Sequence, residues 1–186
     1  MATALTDLDF AALWDEALDY GRFVNEAKKH QALWRDVYRL ARIPDWALDA
    51  IRPLAGHRIV VIAEDWCGDA FNTVPILARL CDLSGHVDLR ILRRDEHPEV
   101  MDRYLTNGAR SIPIVILLDE NFNEVRRWGP RPAVLQEWYL TNREMPKAER
   151  YPIMRRWYAR DRGESMLQEV LGMGARDQGL GTRGQG

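Results

Sequence analysis

The stretch Ala63-Glu64-Asp65-Trp66-Cys67-Gly68-Asp69-Ala70 joins a strand pattern to a helix pattern through a cysteine, and the fold is decided there. Upstream, residues 57–63 read His-Arg-Ile-Val-Val-Ile-Ala, a β-branched run with the length of a buried strand. Downstream, Val74, Leu77, Ala78 and Cys81 recur at helical spacing. Cys67 therefore falls near a helix N-terminus, where unpaired N–H groups and the macrodipole favour an anion by about 0.3 to 1 kcal/mol. Asp69, and Asp65 or Glu64 if they face the sulfur, oppose ionisation with similar energies of roughly 0.2 to 1 kcal/mol each. The expectation is an exposed, moderately activated thiol.

Working outward, Trp66-Cys67-Gly68-Asp69-Ala70-Phe71-Asn72-Thr73-Val74-Pro75 is similar to the thioredoxin active-site segment, Trp-Cys-Gly-Pro-Cys followed by a helix proline. Pro75 stands at the matching offset from Cys67. Gly108-Ala109-Arg110-Ser111-Ile112-Pro113 resembles the loop that holds a cis-proline against the catalytic sulfur. Strand patterns at 114–118 and 124–128, a turn between them and then Gly129 follow in the family's order, so the resemblance spans residues 54–140. It implies an α/β, thioredoxin-like three-layer fold with extra N-terminal and C-terminal helices. It also implies a catalytic Cys67 supported by Trp66, Gly68, Asp69, Ala70, Arg110, Ile112 and Pro113. The turn looks most like that of bacterial thioredoxin-like proteins carrying Trp-Cys-Gly-Asp.

The departures from the family pattern bear on mechanism. Ala70 stands where a dithiol thioredoxin has its resolving cysteine, Asp69 replaces the turn proline, and Val61 occupies the place of the buried proton-accepting aspartate. A mixed disulfide on Cys67 therefore has no internal exit at position 70. Cys81 lies fourteen residues along the same helix pattern, roughly 20 Å away, beyond the reach of a disulfide, and reads as a small buried hydrophobe.

A chain of 186 residues with 46% hydrophobic composition supports one substantial core. A formal net charge of -2 gives no reason to expect nucleic acid or an anionic membrane as partner. Two cysteines that cannot meet, no basic-then-apolar start and no long apolar run suggest a soluble, cytoplasmic protein. The pattern divides into a helical extension at 1–53, the thioredoxin-like unit at 54–142, helices within 143–171 and a glycine-rich tail at 172–186 expected to be disordered. Further helices are predicted at 45–51, 98–105, 133–140, 147–159 and 164–171, and a strand at 87–92.

The four histidines show no ligand spacing, and no metal or cofactor is expected. Trp66 reads as a packing residue that shields the sulfur, Asp69 as a helix cap, a proton relay or a group that repels anionic partners, and Arg110 as the one nearby cation. Arg126, Arg127 and Arg131 read as a solvated strand edge. The first functional expectation is monothiol disulfide exchange, with protein or low-molecular-weight disulfides and thiols such as glutathione as partners. The alternative is a redox-inactive adaptor using the cis-proline groove. An iron–sulfur carrier like the monothiol glutaredoxins is disfavoured, since Asp69 would set a carboxylate beside an anionic cluster.

Overall fold

The computed structural model describes residues 8–172. The run read as a strand forms β2 (Arg58–Ala63), in which five consecutive residues from Ile59 are buried. Burial without alternation means that both faces of the strand are covered, as in a central strand of an α/β sheet. β2 pairs in parallel with β3 (Asp88–Arg93) and antiparallel with β4 (Ile114–Leu118), which pairs antiparallel with β5 (Glu124–Trp128). In register, Val61 lies opposite Ile91 on one side and Val115 on the other. β5 forms one edge and exposes Glu124 to Arg127.

The other edge differs from the sequence expectation. The first fifty residues contain α1 (Phe10–Glu16), α2 (Tyr20–Glu26), α3 (Gln31–Leu40) and α4 (Asp45–Ile51), but also a two-residue strand, β1 (Leu18–Asp19). β1 pairs antiparallel with β3, giving the sheet order β1-β3-β2-β4-β5. The helical pattern breaks there because Ala17 turns extended at the end of α1, and the Asp19 carboxylate accepts the Arg22 N–H at 2.8 Å to start α2. Phe23, Trp34 and Ile51 are fully buried and belong to the same core as the sheet.

Helix α5 (Gly68–Ser84) begins at Cys67, whose extended backbone makes it the N-cap residue, and ends at Gly85 in the left-handed conformation. It carries Pro75 inside and buries residues on nearly every turn, because the sheet covers one side of it and α3 packs on it as well. Helix α6 (Pro98–Met101) is shorter than the predicted 98–105. The chain leaves it so that the buried Tyr104 can donate to Glu124 Oε2 at 2.6 Å, and Asn107 and Gly108 then turn with positive φ.

α7 (Ala133–Thr141), α8 (Lys147–Asp161) and α9 (Glu164–Val170) follow. α9 is tied back to the sheet edge by Glu169, which accepts from Trp128 Nε1 at 2.6 Å and from the Ala133 N–H at 2.9 Å. Leu135, Met154 and Tyr158 make a second, smaller apolar cluster between α7 and α8. Apart from Gly172, the tail expected to be disordered lies outside the described residues. No helix among the described residues is long and apolar enough to cross a membrane.

Candidate active site

The β2–α5 turn and the β4 approach meet at Cys67. Its thiol donates to the Ile112 carbonyl at 3.4 Å, and the Ile112–Pro113 peptide that follows is cis. Gly129 backs onto this loop with φ +130°, and a Cβ there would sit 2.1 Å from the Pro113 carbonyl oxygen, so only glycine fits. Trp66, Gly68, Asp69, Arg110 and Ile112 line a cavity of about 340 Å³ together with Cys67, whereas Ala70 is fully buried in the first turn of α5.

The thiol is not the exposed, moderately activated group expected from the sequence. Cys67 is only 8% exposed. Burial, then the Asp69 carboxylate, push its pKa from the ordinary 9.0 up to about 11. The N–H groups of Ala70 and Asp69 at the helix start, and then Arg131, act in the opposite direction without reversing the sum. The helix-terminus effect is present, but withdrawal from water outweighs it. Cys81 is also buried and free, and its thiol is pushed higher still by complete burial.

Asp69 neither caps the helix nor stands free. Its carboxylate pairs with Arg131 at 2.6 Å and accepts the Tyr158 hydroxyl at 2.8 Å, with all three groups largely or wholly withdrawn from water. Burial raises the Asp69 carboxyl above the ordinary aspartate value, while Arg131 and Tyr158 pull it down. The Tyr158 hydroxyl is pushed up by its own burial and by the neighbouring carboxylate. Arg131 is further held by Gln136 Oε1 at 2.9 Å and stacks on Tyr139 at 4.0 Å. It is therefore the cation paired with Asp69 in the site and not part of a solvated strand edge.

Arg110 is a correction in the same sense. It reaches the cavity wall, but its guanidinium forks onto Asp102 with two contacts of 2.7 Å on the surface. Trp66 is 38% exposed and lies under the Arg94 guanidinium at 4.8 Å, forming cavity wall and not interior packing. Glu64 and Asp65 do not bear on the sulfur as carboxylates. Glu64 accepts the Asp95 N–H at 2.9 Å, and Asp65 Oδ2 accepts the Lys28 and Lys29 N–H groups at 2.7 and 3.0 Å.

Most of the residues that the sequence did not single out come from the two extensions, whereas Arg94 and Tyr139 belong to the unit at 54–142. His30, at the start of α3, lines the cavity, and so do Tyr139 of α7 and Tyr151, Met154, Arg155 and Tyr158 of α8. Only Arg131 carried a signal in the sequence, as one member of a basic cluster. Among the described residues no group of three or more His, Cys, Asp or Glu is placed to hold a metal ion.

Set beside known proteins, residues 17–150 match a family model described as thioredoxin. The chain belongs to the thioredoxin family. Two solved structures share its fold with a TM-score of 0.70 each. One is a protein of unknown function from Pseudomonas aeruginosa, 21% identical, covering 90% of this chain and 97% of its own. The other is an HIV epitope-scaffold, 20% identical, covering 89% of this chain and 97% of its own. No curated protein matches. For this thioredoxin-family chain, the fold places a lone thiol against the cis-proline loop and surrounds it with residues from outside the sheet.

Proposed function

We propose that this protein carries out thiol–disulfide exchange through Cys67 alone, with an outside thiol completing each cycle. The observation that supports this reading is the Cys67 thiol at the wall of a cavity, hydrogen-bonded to the carbonyl that precedes cis-Pro113. The Cys67 thiolate attacks one sulfur of a disulfide R–S–S–R; the Cys67–S–S–R bond forms, the original S–S bond breaks, and RS⁻ leaves and takes a proton from water. A thiolate R′S⁻ then attacks the R sulfur of the adduct, releasing R–S–S–R′ and restoring Cys67. With Ala70 at the fourth position of the turn, that second thiol has to come from outside.

Magnitudes define the style of catalyst. A pKa of about 11 in place of 9.0 lowers the thiolate fraction at neutral pH about a hundredfold. The greater nucleophilicity of a more basic thiolate returns about tenfold, leaving Cys67 about tenfold slower than an ordinary cysteine. Binding a substrate beside the sulfur gains far more than this, since well-oriented neighbours react with effective molarities of about 10⁵ M and above. Exchange is therefore driven by recognition in the cavity and not by an activated thiol.

A second reading, a binding module whose cysteine is silent, is favoured by the same burial of Cys67. Intact-mass measurement after exposure to the neutral disulfide of 2-mercaptoethanol separates the two. Exchange predicts one adduct on Cys67, none on Cys81, and its release by added thiol. A chain that keeps both thiols free under these conditions supports the binding module.

A further inference from the structure

We propose that the cavity beside Cys67 is a subsite for a small anionic thiol or its disulfide, the anion being a carboxylate received by Arg155. The inference rests on the exchange reading for its chemistry at sulfur, but not for binding. Two observations carry it, the first being shape. At about 340 Å³ the cavity sits near the lower bound of those that bury a drug-sized ligand. Tyr151 and Met154 of α8 and His30 just before α3 line it together with the β2–α5 turn and the loop before Pro113, so helices outside the sheet turn the ground beside the thiol into a concave site.

The second observation is charge. Among the described residues, four arginines line the cavity against a single carboxylate, Asp69. Arg131 is taken by Asp69, Arg110 by Asp102 and Arg94 by Asp95. Arg155 lines the cavity and has no ion-pair partner among the described residues. Buried Arg131 Nε also lacks an acceptor. An unmatched guanidinium at the mouth of a concave, partly apolar site attracts an anion, and its planar fork suits a carboxylate. The rings of Trp66 and Tyr151 offer apolar cover for the body of such a molecule.

The test compares glutathione disulfide (anionic), the disulfide of 2-mercaptoethanol (neutral) and cystamine (cationic), following the Cys67 adduct by mass. Adduct formation should be fastest with the anionic and slowest with the cationic disulfide, and rising salt should narrow the gap. Arg155→Glu, at an exposed position, should lower the anionic rate about fivefold and raise the cationic one. Equal rates for the three disulfides, or an order unchanged by Arg155→Glu, overturn the subsite while leaving exchange intact. Binding of S-methylglutathione to Cys67→Ser, read by tryptophan fluorescence, is the second arm. Binding there, weakened about fivefold by Arg155→Glu, upholds the subsite even if no disulfide forms an adduct, in which case the exchange reading falls. No binding in this arm overturns the subsite.

Discussion

Cys67 and Asp69 are two residues apart, and each determines how the other behaves. Because burial and Asp69 hold the Cys67 pKa at about 11, the folded state keeps a proton between pH 9 and 11 that the unfolded chain has lost. The corresponding stability, about 3 kcal/mol, is fully present below pH 9 and disappears as pH rises toward 11. Chemical denaturation of Cys67→Ala across that window should show a shallower decline than the parent, while the contribution of Cys81 is common to both. Asp69→Asn should move the Cys67 titration down, because the like charge is gone and the Arg131 cation is uncompensated. The same change leaves Arg131 buried without its counter-ion, and a loss of about 3 to 5 kcal/mol in unfolding free energy is expected. Faster alkylation together with a lower Tm is the signature; an unchanged titration would show that Asp69 does not act on the sulfur.

At the scale of elements, α8 is fastened over the turn between β2 and α5 by the Tyr158 hydroxyl on Asp69, across 89 residues of sequence. Tyr158→Phe removes a hydrogen bond to a charged group, which should cost about 1.5 to 3 kcal/mol and loosen α8 locally. Amide hydrogen exchange should quicken in residues 147–161, and Cys67 should be labelled faster at fixed pH. Exchange confined to the helix ends, with Cys67 labelling unaltered, would show that α8 does not guard the thiol. This contact also marks how far the sequence could be read. The strand run ending at Ala63, the helix after Cys67 and the loop before Pro113 are local patterns of burial period and turn residues, so they were legible. A two-residue strand such as β1 is shorter than any period and was not. The sign of the Cys67 shift was missed for the same kind of reason: a helix N-terminus is visible in sequence, but the cover that withdraws it from water comes from distant elements.

Across the whole molecule, both extensions converge on the cavity. The N-terminal helices are held to the active-site turn by Asp65, which receives two N–H groups, and by Trp34, whose indole N–H donates to the Asp65 carbonyl at 3.0 Å. Asp65→Ala should therefore cost about 2 to 5 kcal/mol and open residues 27–31, including His30, to proteolysis. In sequence Arg131 is one member of a basic cluster and Arg155 looks like any surface arginine; only the assembled chain separates a buried partner of Asp69 from a cation at the rim with no ion-pair partner among the described residues. The thioredoxin sheet thus supplies the thiol and the cis-proline loop, and the added helices supply its cover and part of the cavity wall. That arrangement makes Cys67 a protonated thiol at rest, and in the proposed exchange its reactivity comes from what binds beside it. The most direct test is the rate of Cys67 alkylation by iodoacetamide as a function of pH, resolved by peptide mapping. The rate should climb with an apparent pKa of about 11 and be about tenfold below an ordinary cysteine at pH 7. A midpoint at or below 9, with rapid labelling at neutral pH, would contradict the account.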